Sequence, residues 1–143
     1  MKIVAVSGGW DPIHIGHIRL FFEAKKLVGP KGMLIVILNN DNWLKAKKGK
    51  VFMPQQERAA ILHAIKGVGS VYTTTHEPNP EDMSVCQALT DLKPDIFANG
   101  GDRKEDNIPE YQLCEELGIE MVFGIGGEKI QSSSWLTEGK DNG

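Results

Sequence analysis

The sequence predicts an α/β fold, a doubly wound parallel sheet of five strands with helices on both faces. Short apolar runs alternate along the chain with longer stretches that have apolar residues at helical spacing. This alternation is typical of parallel strands joined by crossover helices. The 143 residues, 41% of them hydrophobic and 24% charged, are enough for one core. We therefore expect a single domain over residues 1–137 and a flexible tail at residues 138–143.

The apolar runs are the predicted strands, and the stretches between them are the predicted helices. The strands are Ile3 to Val6, Leu34 to Leu38, Val71 to Thr74, Asp95 to Ala98 and Glu120 to Val122. The helices are Ile15 to Leu27, Gln55 to Ile65, Met83 to Leu92 and Pro109 to Leu117. In this Rossmann-like arrangement ligands bind at the carboxyl ends of the strands. The polar clusters of the chain follow strands, which predicts one shared site.

Composition argues against several classes of protein. A net charge of −3 and a pI near 5.8 argue against a general nucleic-acid or membrane-surface binder. No apolar run approaches about 18 residues, and the N-terminus has no signal-peptide pattern. We expect a soluble cytoplasmic protein without nucleic-acid or membrane partners. Cys86 and Cys114 lack metal-ligand spacing and are expected to be buried thiols.

The most informative motif is His14-Ile15-Gly16-His17, which opens the first predicted helix. A helix start offers unpaired backbone N–H groups and the positive end of the helix dipole, and both suit an anion. His14 and His17 are three residues apart, so they share one face of the helix and can reach one triphosphate. Two histidines at a helix start are often only surface or capping residues. Here the preceding strand and the glycines Gly8 and Gly9, which permit close approach of phosphates, favour a functional role.

At these residues the chain resembles the cytidylyltransferase-like nucleotidyltransferases, and the resemblance runs from Ile3 to about Leu136. The resemblance implies an enzyme that transfers AMP or CMP from ATP or CTP to a phosphorylated sugar, polyol or alcohol and releases pyrophosphate. It also implies Mg²⁺ as the cofactor, bridging phosphate oxygens, and a homodimer. A nucleotide-binding regulatory module without transfer activity stays open, whereas a dehydrogenase-like dinucleotide binder would need a G-x-G-x-x-G spacing that the chain lacks.

A polar segment that turns strongly basic follows the second strand, from Asn39 to Lys50. We predict a loop here, and a charge run of this kind is usually a solvated surface. The resemblance implies a lysine in this loop that contacts the triphosphate and the acceptor phosphate. Lys45 matches best, ahead of Lys47, Lys48 and Lys50. Such a loop would close over the substrate and exclude water.

Arg58 lies in the string Gln56-Glu57-Arg58 at the start of the next helix. Similar enzymes carry an arginine here, which implies a contact with the acceptor or the phosphates. The alternative is an exposed helix cation paired with Glu57 or another neighbour. His63 and His76 have no partner pattern and are expected to be surface or packing residues.

Two later segments complete the expected site. Asn99-Gly100-Gly101-Asp102-Arg103 follows the fourth strand, where the resemblance implies contact with the base and ribose. Glu128-Lys129-Ile130-Gln131-Ser132-Ser133-Ser134 resembles the family's serine signature, which implies that hydroxyls and N–H groups bind the β- and γ-phosphates. Lys129 stands near the place of an arginine in many cytidylyltransferases, and Ile130 replaces a glycine. These departures, with Gly100-Gly101-Asp102, favour ATP slightly as the donor.

The motifs together define a set of expected site residues. The catalytic residues are His14, His17 and Lys45, and the acceptor or phosphate contacts are Arg58 and Lys45. The nucleotide-binding residues are Ser7, Gly8, Gly9, Asp11, Gly16, Gly100, Gly101, Asp102, Arg103, Lys129, Gln131, Ser132, Ser133 and Ser134. Asp11 is expected to orient His17 or the helix start, or to serve only as a turn residue before Pro12. No protein nucleophile is needed, because an acceptor phosphate oxygen attacks the α-phosphorus directly.

Overall fold

A computed structural model of the chain describes residues 1–100 and 108–126. The strands are β1 (Ile3–Gly8), β2 (Met33–Leu38), β3 (Val68–Thr73), β4 (Ile96–Gly100) and β5 (Glu120–Ile125). The helices are α1 (Ile15–Lys26), α2 (Asp41–Lys48), α3 (Gln55–Ala64), α4 (Cys86–Leu92) and α5 (Ile108–Leu117). The predicted α/β fold is confirmed, and every predicted strand and helix has a counterpart within a few residues.

The five strands form one parallel sheet in the order β3-β2-β1-β4-β5. The chain winds outward from β1 to β3, returns to the other side of β1 as β4, and then winds outward again to β5. The strand order therefore reverses between β1 and β4. In doubly wound sheets this reversal opens a crevice at the carboxyl ends of the two strands, where ligands bind.

Side chains alternate across the sheet and build a core on each face. Val4, Val6 and Val36 point to the face covered by α1, where Phe21 and Ala24 are buried against them. The other face is covered by α4 and α5, and its core comprises Ala5, Ile37, Val85, Ala88, Leu89, Phe97, Cys114 and Ile119. Each large apolar side chain buried in this way contributes about 1.5–3 kcal/mol to folding.

The buried-thiol prediction is confirmed for Cys114, which lies in the second core and is 1% exposed. Burial raises the pKa of this thiol to about 11, since the thiolate would lose its hydration there. Cys86 is half-buried at the start of α4, and burial raises the pKa of its thiol as well.

One prediction was wrong: the segment after β2 is the helix α2 and not a loop. Asn40 caps its start, because the Asn40 side chain accepts a hydrogen bond from the Trp43 N–H at 3.0 Å. Gly49 ends it in the left-handed region, with φ at 81°. The lysines lie in the last turn, where positive charge suits the negative end of the helix dipole. Leu44, which is fully buried, fixes the helix to the rest of the chain.

None of the helices within residues 1–100 and 108–126 has the length and apolar character needed to span a bilayer.

The burial of Leu44 gives a direct test of this helix. Replacing a fully buried leucine by alanine removes its contacts and leaves a cavity, so Leu44→Ala should lower the free energy of unfolding by about 2–5 kcal/mol. Urea denaturation measures the loss. Leu27→Ala is the matched control, because Leu27 is 38% exposed, and it should cost about 1 kcal/mol or less. Equal losses in the two variants would contradict the packing of α2 described above.

Candidate functional site

The turn between β1 and α1 is shaped by a buried tryptophan. Trp10 is 4% exposed, its backbone has φ at 52°, and its indole N–H donates to the Ile37 carbonyl at 3.0 Å. A Cβ at Gly8 would lie 3.0 Å from the Trp10 ring. A side chain at position 8 would therefore crowd the indole. The expected role of Gly8 in admitting phosphates stays a prediction.

The two histidines of the motif cap α1. The Nδ1 atom of His14 accepts from the Gly16 N–H at 3.0 Å, and the Nδ1 atom of His17 accepts from the His14 N–H at 3.2 Å. Because a neutral imidazole carries one proton, accepting at Nδ1 places that proton on Nε2 in both rings. The rings are stacked, with centroids 3.7 Å apart. The capping role considered for these histidines is thus confirmed, and it orients two N–H donors.

His17 is held in its neutral form. Burial, followed by the charges of His14 and Lys48, lowers the pKa of the His17 imidazole to about 3. The Trp10 ring packs against it in a T-shaped arrangement, with ring centroids 4.8 Å apart, and contributes to this burial. His17 therefore enters the site as a neutral N–H donor. A cationic imidazole therefore does not describe His17 near neutral pH.

Helix α2 brings a lysine to the histidine pair. A Cβ at Gly9 would lie 2.9 Å from Leu44 Cδ2, so the face of α2 that carries Leu44 packs on the β1–α1 turn. Lys48 is one helical turn further on the same face. Its charge also acts on His17. The sequence analysis favoured Lys45 over Lys48 because Lys45 best matches the lysine that the resemblance implies.

Asp11 is tied to the segment between α2 and α3. It is 3% exposed, and its two carboxylate oxygens accept from the Phe52 N–H at 2.7 Å and the Met53 N–H at 2.6 Å. These bonds differ from the expectation that Asp11 orients His17. They fix the connection that follows α2 beside the β1–α1 turn.

Arg58 is fully buried and donates to four groups of the chain. Its Nε donates to the Met53 carbonyl at 2.9 Å, and one terminal nitrogen donates to the carbonyls of Gly9 at 2.6 Å and Asn39 at 2.8 Å. The other terminal nitrogen forms an ion pair with Asp41 at 2.6 Å. Four of the five N–H donors of the guanidinium are thus used within the chain.

The sequence therefore misjudged the surroundings of Arg58. The expected exposed cation paired with Glu57 was wrong, because Arg58 is 0% exposed and its ion pair is with Asp41. The other expectation was a contact with the acceptor or the phosphates. The structure shows the guanidinium bonded to backbone and carboxylate oxygens of the protein.

The remaining expected residues divide between described and undescribed parts of the chain. Ser7 is half-buried in β1, opposite Ile37 of β2. Gly100 ends β4, and no atom of the described residues lies within 4 Å of the place its Cβ would take. Gly101, Asp102, Arg103, Lys129, Gln131, Ser132, Ser133 and Ser134 lie outside the described residues.

One buried polar group was missed by sequence reasoning. Asn39 is 3% exposed at the end of β2, and its side-chain oxygen has no hydrogen-bond partner among the described residues. Its backbone N–H donates to the Gly8 carbonyl at 2.9 Å, which places it beside the β1–α1 turn. From the sequence, only its position at the end of a predicted strand could have identified Asn39 as a candidate site residue, because asparagine is common in loops.

His76 and the cavity beside it lie at the same edge of the sheet. The His76 ring contacts the Thr74 hydroxyl at 2.8 Å and the Ser84 carbonyl at 2.9 Å, which confirms the expected packing role. The cavity next to it, of about 260 Å³, lies at the carboxyl end of β3. The Thr74 hydroxyl also accepts from the Asn40 N–H at 3.0 Å, so this wall is linked to the start of α2.

The low pKa of His17 predicts a loss of stability in acid. Its folded value, about 3, lies below the ordinary 6.5, so the unfolded chain binds the proton more tightly. The stability that His17 contributes is complete above pH 6.5 and is lost as the pH falls toward 3. At pH 5 the loss should be on the order of 1–2 kcal/mol. Unfolding by urea at pH 7.5 and pH 5 measures it.

The comparison variant is His17→Asn, which keeps a hydrogen-bond acceptor near the Nδ1 position and does not titrate. It should lose less stability between the two pH values than the natural chain. His63→Asn, at an exposed histidine, should follow the natural chain. Parallel losses in the natural chain and His17→Asn would contradict a buried neutral His17.

Comparison with known proteins places this geometry in a family. Residues 5–129 match the family described as cytidylyltransferase-like. The bifunctional protein HldE of Desulfatibacillum aliphaticivorans is 31% identical over 134 residues, which are 92% of this chain and 26% of that protein. The FAD synthase of Korarchaeum cryptofilum is 33% identical over 122 residues, which are 83% of this chain and 78% of that one.

A solved structure agrees with these matches. The lipopolysaccharide core biosynthesis protein from Thermoplasma volcanium GSS1 superposes with a TM-score of 0.69 at 26% identity, and the match covers 90% of this chain and 99% of that one. The chain spans about a quarter of the length of HldE and most of the length of the FAD synthase. The family match extends over most of the sequence and includes most of β1, the histidine motif and α2. The chain therefore belongs to the cytidylyltransferase-like family of nucleotidyltransferases.

Proposed function

We propose that this protein transfers AMP or CMP from ATP or CTP to a phosphorylated sugar, polyol or alcohol and releases pyrophosphate. The observation that carries the proposal is the pair of stacked histidines at the start of α1. Both have Nδ1 engaged with backbone N–H groups, so both carry the Nε2 proton when neutral. Two N–H donors at a helix N-terminus, with Lys48 acting on one of them, suit a triphosphate.

The chemistry consists mainly of holding two polyanions together. An oxygen of the acceptor phosphate attacks the α-phosphorus in line, a new P–O bond forms, and the bond to the pyrophosphate oxygen breaks. Charge grows on the leaving pyrophosphate during this step. Imidazole N–H groups, the N-terminus of α1 and the Lys48 ammonium would stabilise that charge without any proton transfer to the protein. No covalent intermediate on the chain is required.

Mg²⁺ enters the proposal as the cation of the nucleotide. Among the described residues no group of three or more histidine, cysteine, aspartate or glutamate side chains is arranged to hold a metal ion. Phosphate oxygens are ligands that Mg²⁺ prefers, and the ion usually keeps several waters. The bound ion would supply charge neutralisation, while His14, His17 and Lys48 would bind the remaining phosphate oxygens.

ATP is the donor that we favour over CTP. The relatives include proteins named FAD synthase, and the product in that name contains an adenylyl group. Gly100-Gly101-Asp102 and the lack of an arginine near Lys129 point the same way. Within residues 1–100 and 108–126, nothing crowds the Cβ position of Gly100 at the end of β4, where a base or ribose would lie.

The cavity at the end of β3 favours a hydroxyl-rich acceptor. Its polar lining includes hydroxyls of Thr74, Thr75 and Ser84 and carboxyls of Glu77, Glu81 and Asp82. Hydrogen bonds from Ser84 lower the pKa of Asp82, so this carboxyl is ionised and accepts hydrogen bonds. None of the described residues that line the cavity is a lysine or an arginine. It would therefore hold the hydroxyls of a sugar or polyol, while the acceptor phosphate lies nearer Lys48.

Two further expectations stay predictions: a homodimer and a cytoplasmic location. The alternative function is a nucleotide-binding regulatory module that keeps the fold without transfer. The intact His14 and His17 geometry favours the enzyme, because a module would not need two oriented donors at the point where pyrophosphate leaves.

The first experiment separates the enzyme from the module. Purified protein is incubated with Mg²⁺, either ATP or CTP, and single members of a panel of sugar, polyol and alcohol phosphates and flavin mononucleotide. Pyrophosphate release is measured. We expect release with ATP and at least one hydroxyl-rich phosphate. Tight nucleotide binding without release across the whole panel would support the module.

The second experiment tests which lysine serves the site. Lys48→Met should lower kcat/KM about 10²-fold, because removing one group that stabilises the transition-state charge typically costs 10²–10³. Lys45→Met should have a smaller effect, and Lys66→Met is the control because Lys66 is exposed just before β3, at the opposite edge of the sheet. A larger loss in Lys45→Met than in Lys48→Met would contradict the role of Lys48 and favour Lys45, as the sequence analysis did.

A further inference from the structure

We propose that Arg58 is a positioning residue, whose buried guanidinium fastens the start of α2 to the β1–α1 turn and thereby holds Lys48 beside the histidine pair. This inference rests on the proposed function for its catalytic consequence. The structural part, the placement of Lys48, is independent of it. Arg58 would then act through another residue and would not itself bind the acceptor.

The bonds of Arg58 join three separate parts of the edge where the site lies. Gly9 belongs to the β1–α1 turn, Asn39 follows β2, and Asp41 is the first residue of α2. These partners are 49, 19 and 17 residues from Arg58 in the sequence. A planar guanidinium has fixed donor directions, so bonds to all three define their relative positions. Lysine, with a single ammonium on a flexible stem, could not reproduce this set.

A second hydrogen bond joins the start of α2 to α3. The Gln55 side chain accepts from the Asp41 N–H at 2.9 Å, so the first residue of α2 is bonded to both Gln55 and Arg58 of α3. Asp11 meanwhile holds Phe52 and Met53. The start of α2 is therefore bonded to α3, and the connection between these two helices is bonded to Asp11.

Burial makes this arrangement costly to disturb. A guanidinium with 0% exposure has lost its water, and its bonds to carbonyl and carboxylate oxygens replace that hydration. A phosphate could not reach Arg58 without disturbing its surroundings, because the residue is 0% exposed and four of its five donors are in use. The geometry thus argues for a structural link and against a ligand contact.

The effect reaches Lys48 through one short helix. Asp41 begins α2 and Lys48 ends it, eight residues in all, with Leu44 seated against Gly9 between them. If the bonds at Asp41 are lost, the helix is free to tilt about Leu44 and its far end moves. A displacement of about 1 Å in a positioning element is enough to cost 10²-fold in rate.

The test compares Arg58→Lys with Asp41→Asn. If Arg58 positions α2, both variants weaken the same link, so both should lower kcat about 10-fold or more while the KM for the acceptor changes less than about 3-fold. The double variant should be little worse than either single one, because the two residues act as a unit.

A contact of Arg58 with the acceptor phosphate predicts the opposite pattern. In that case Arg58→Lys raises the acceptor KM by 10-fold or more, and Asp41→Asn has little effect. That result would overturn the proposal.

A second readout needs no activity. NMR titration of the His17 ring reports on the nearby Lys48 charge, which is among the causes that lower the pKa of His17. We expect Arg58→Lys, Asp41→Asn and Lys48→Met each to raise the pKa of His17, and the control Glu57→Gln, at an exposed neighbour, to leave it unchanged. If Lys48→Met raises it and the other two do not, Arg58 does not hold Lys48 in place.

The two readouts distinguish the two failures. A chain that releases no pyrophosphate with any acceptor contradicts the proposed function, and the titration still decides whether Arg58 positions Lys48. Asp41→Asn retains the buried arginine and its three carbonyl bonds, so it provides the decisive variant if Arg58→Lys does not fold.

Discussion

The site depends on the way α1 begins. Most helices begin with a serine, threonine, aspartate or asparagine cap, whereas this one uses two histidines. The caps engage Nδ1 of each ring with a backbone N–H group. The same hydrogen bonds therefore cap the N-terminus of α1, hold the two rings together and select the Nε2-protonated tautomer of both when they are neutral. A serine or aspartate cap could also begin the helix, but it would not supply these two imidazole N–H donors.

This helix start is connected to the rest of the site by buried polar bonds. Asp11 and Arg58 are both nearly inaccessible to water, and both join the β1–α1 turn to the segment around α2. Buried polar groups of this kind hold only when all of their partners are in place. The turn, the end of β2 and the first turn of α2 therefore behave as one unit. Apolar packing alone, through Leu44 against Gly9, would leave more freedom of orientation.

Sequence reasoning found what local patterns encode. The strands from β1 to β5 follow from apolar runs, and the start of α1 follows from a motif that contains its own capping residues. Helix α2 was missed because four lysines resemble a solvated loop, although Asn40 and Gly49 mark its two ends. The burial of Arg58 could not be inferred, because its partners are distant in the sequence and come together only in the folded sheet. The same holds for Asp11, whose partners lie more than 40 residues away. Because α2 was missed, nothing in the sequence set Lys48 apart from Lys45, which matched the resemblance best.

The crowding at Gly8 has a consequence for the acid–base character of the site. A side chain there would crowd the Trp10 ring, and the same ring packs against His17. Even a methyl group at position 8 would press on the indole and disturb that packing. Water would then reach the imidazole, and a proton would bind to it more readily. Gly8 thus affects the solvent exposure of His17 through the Trp10 ring that lies between them.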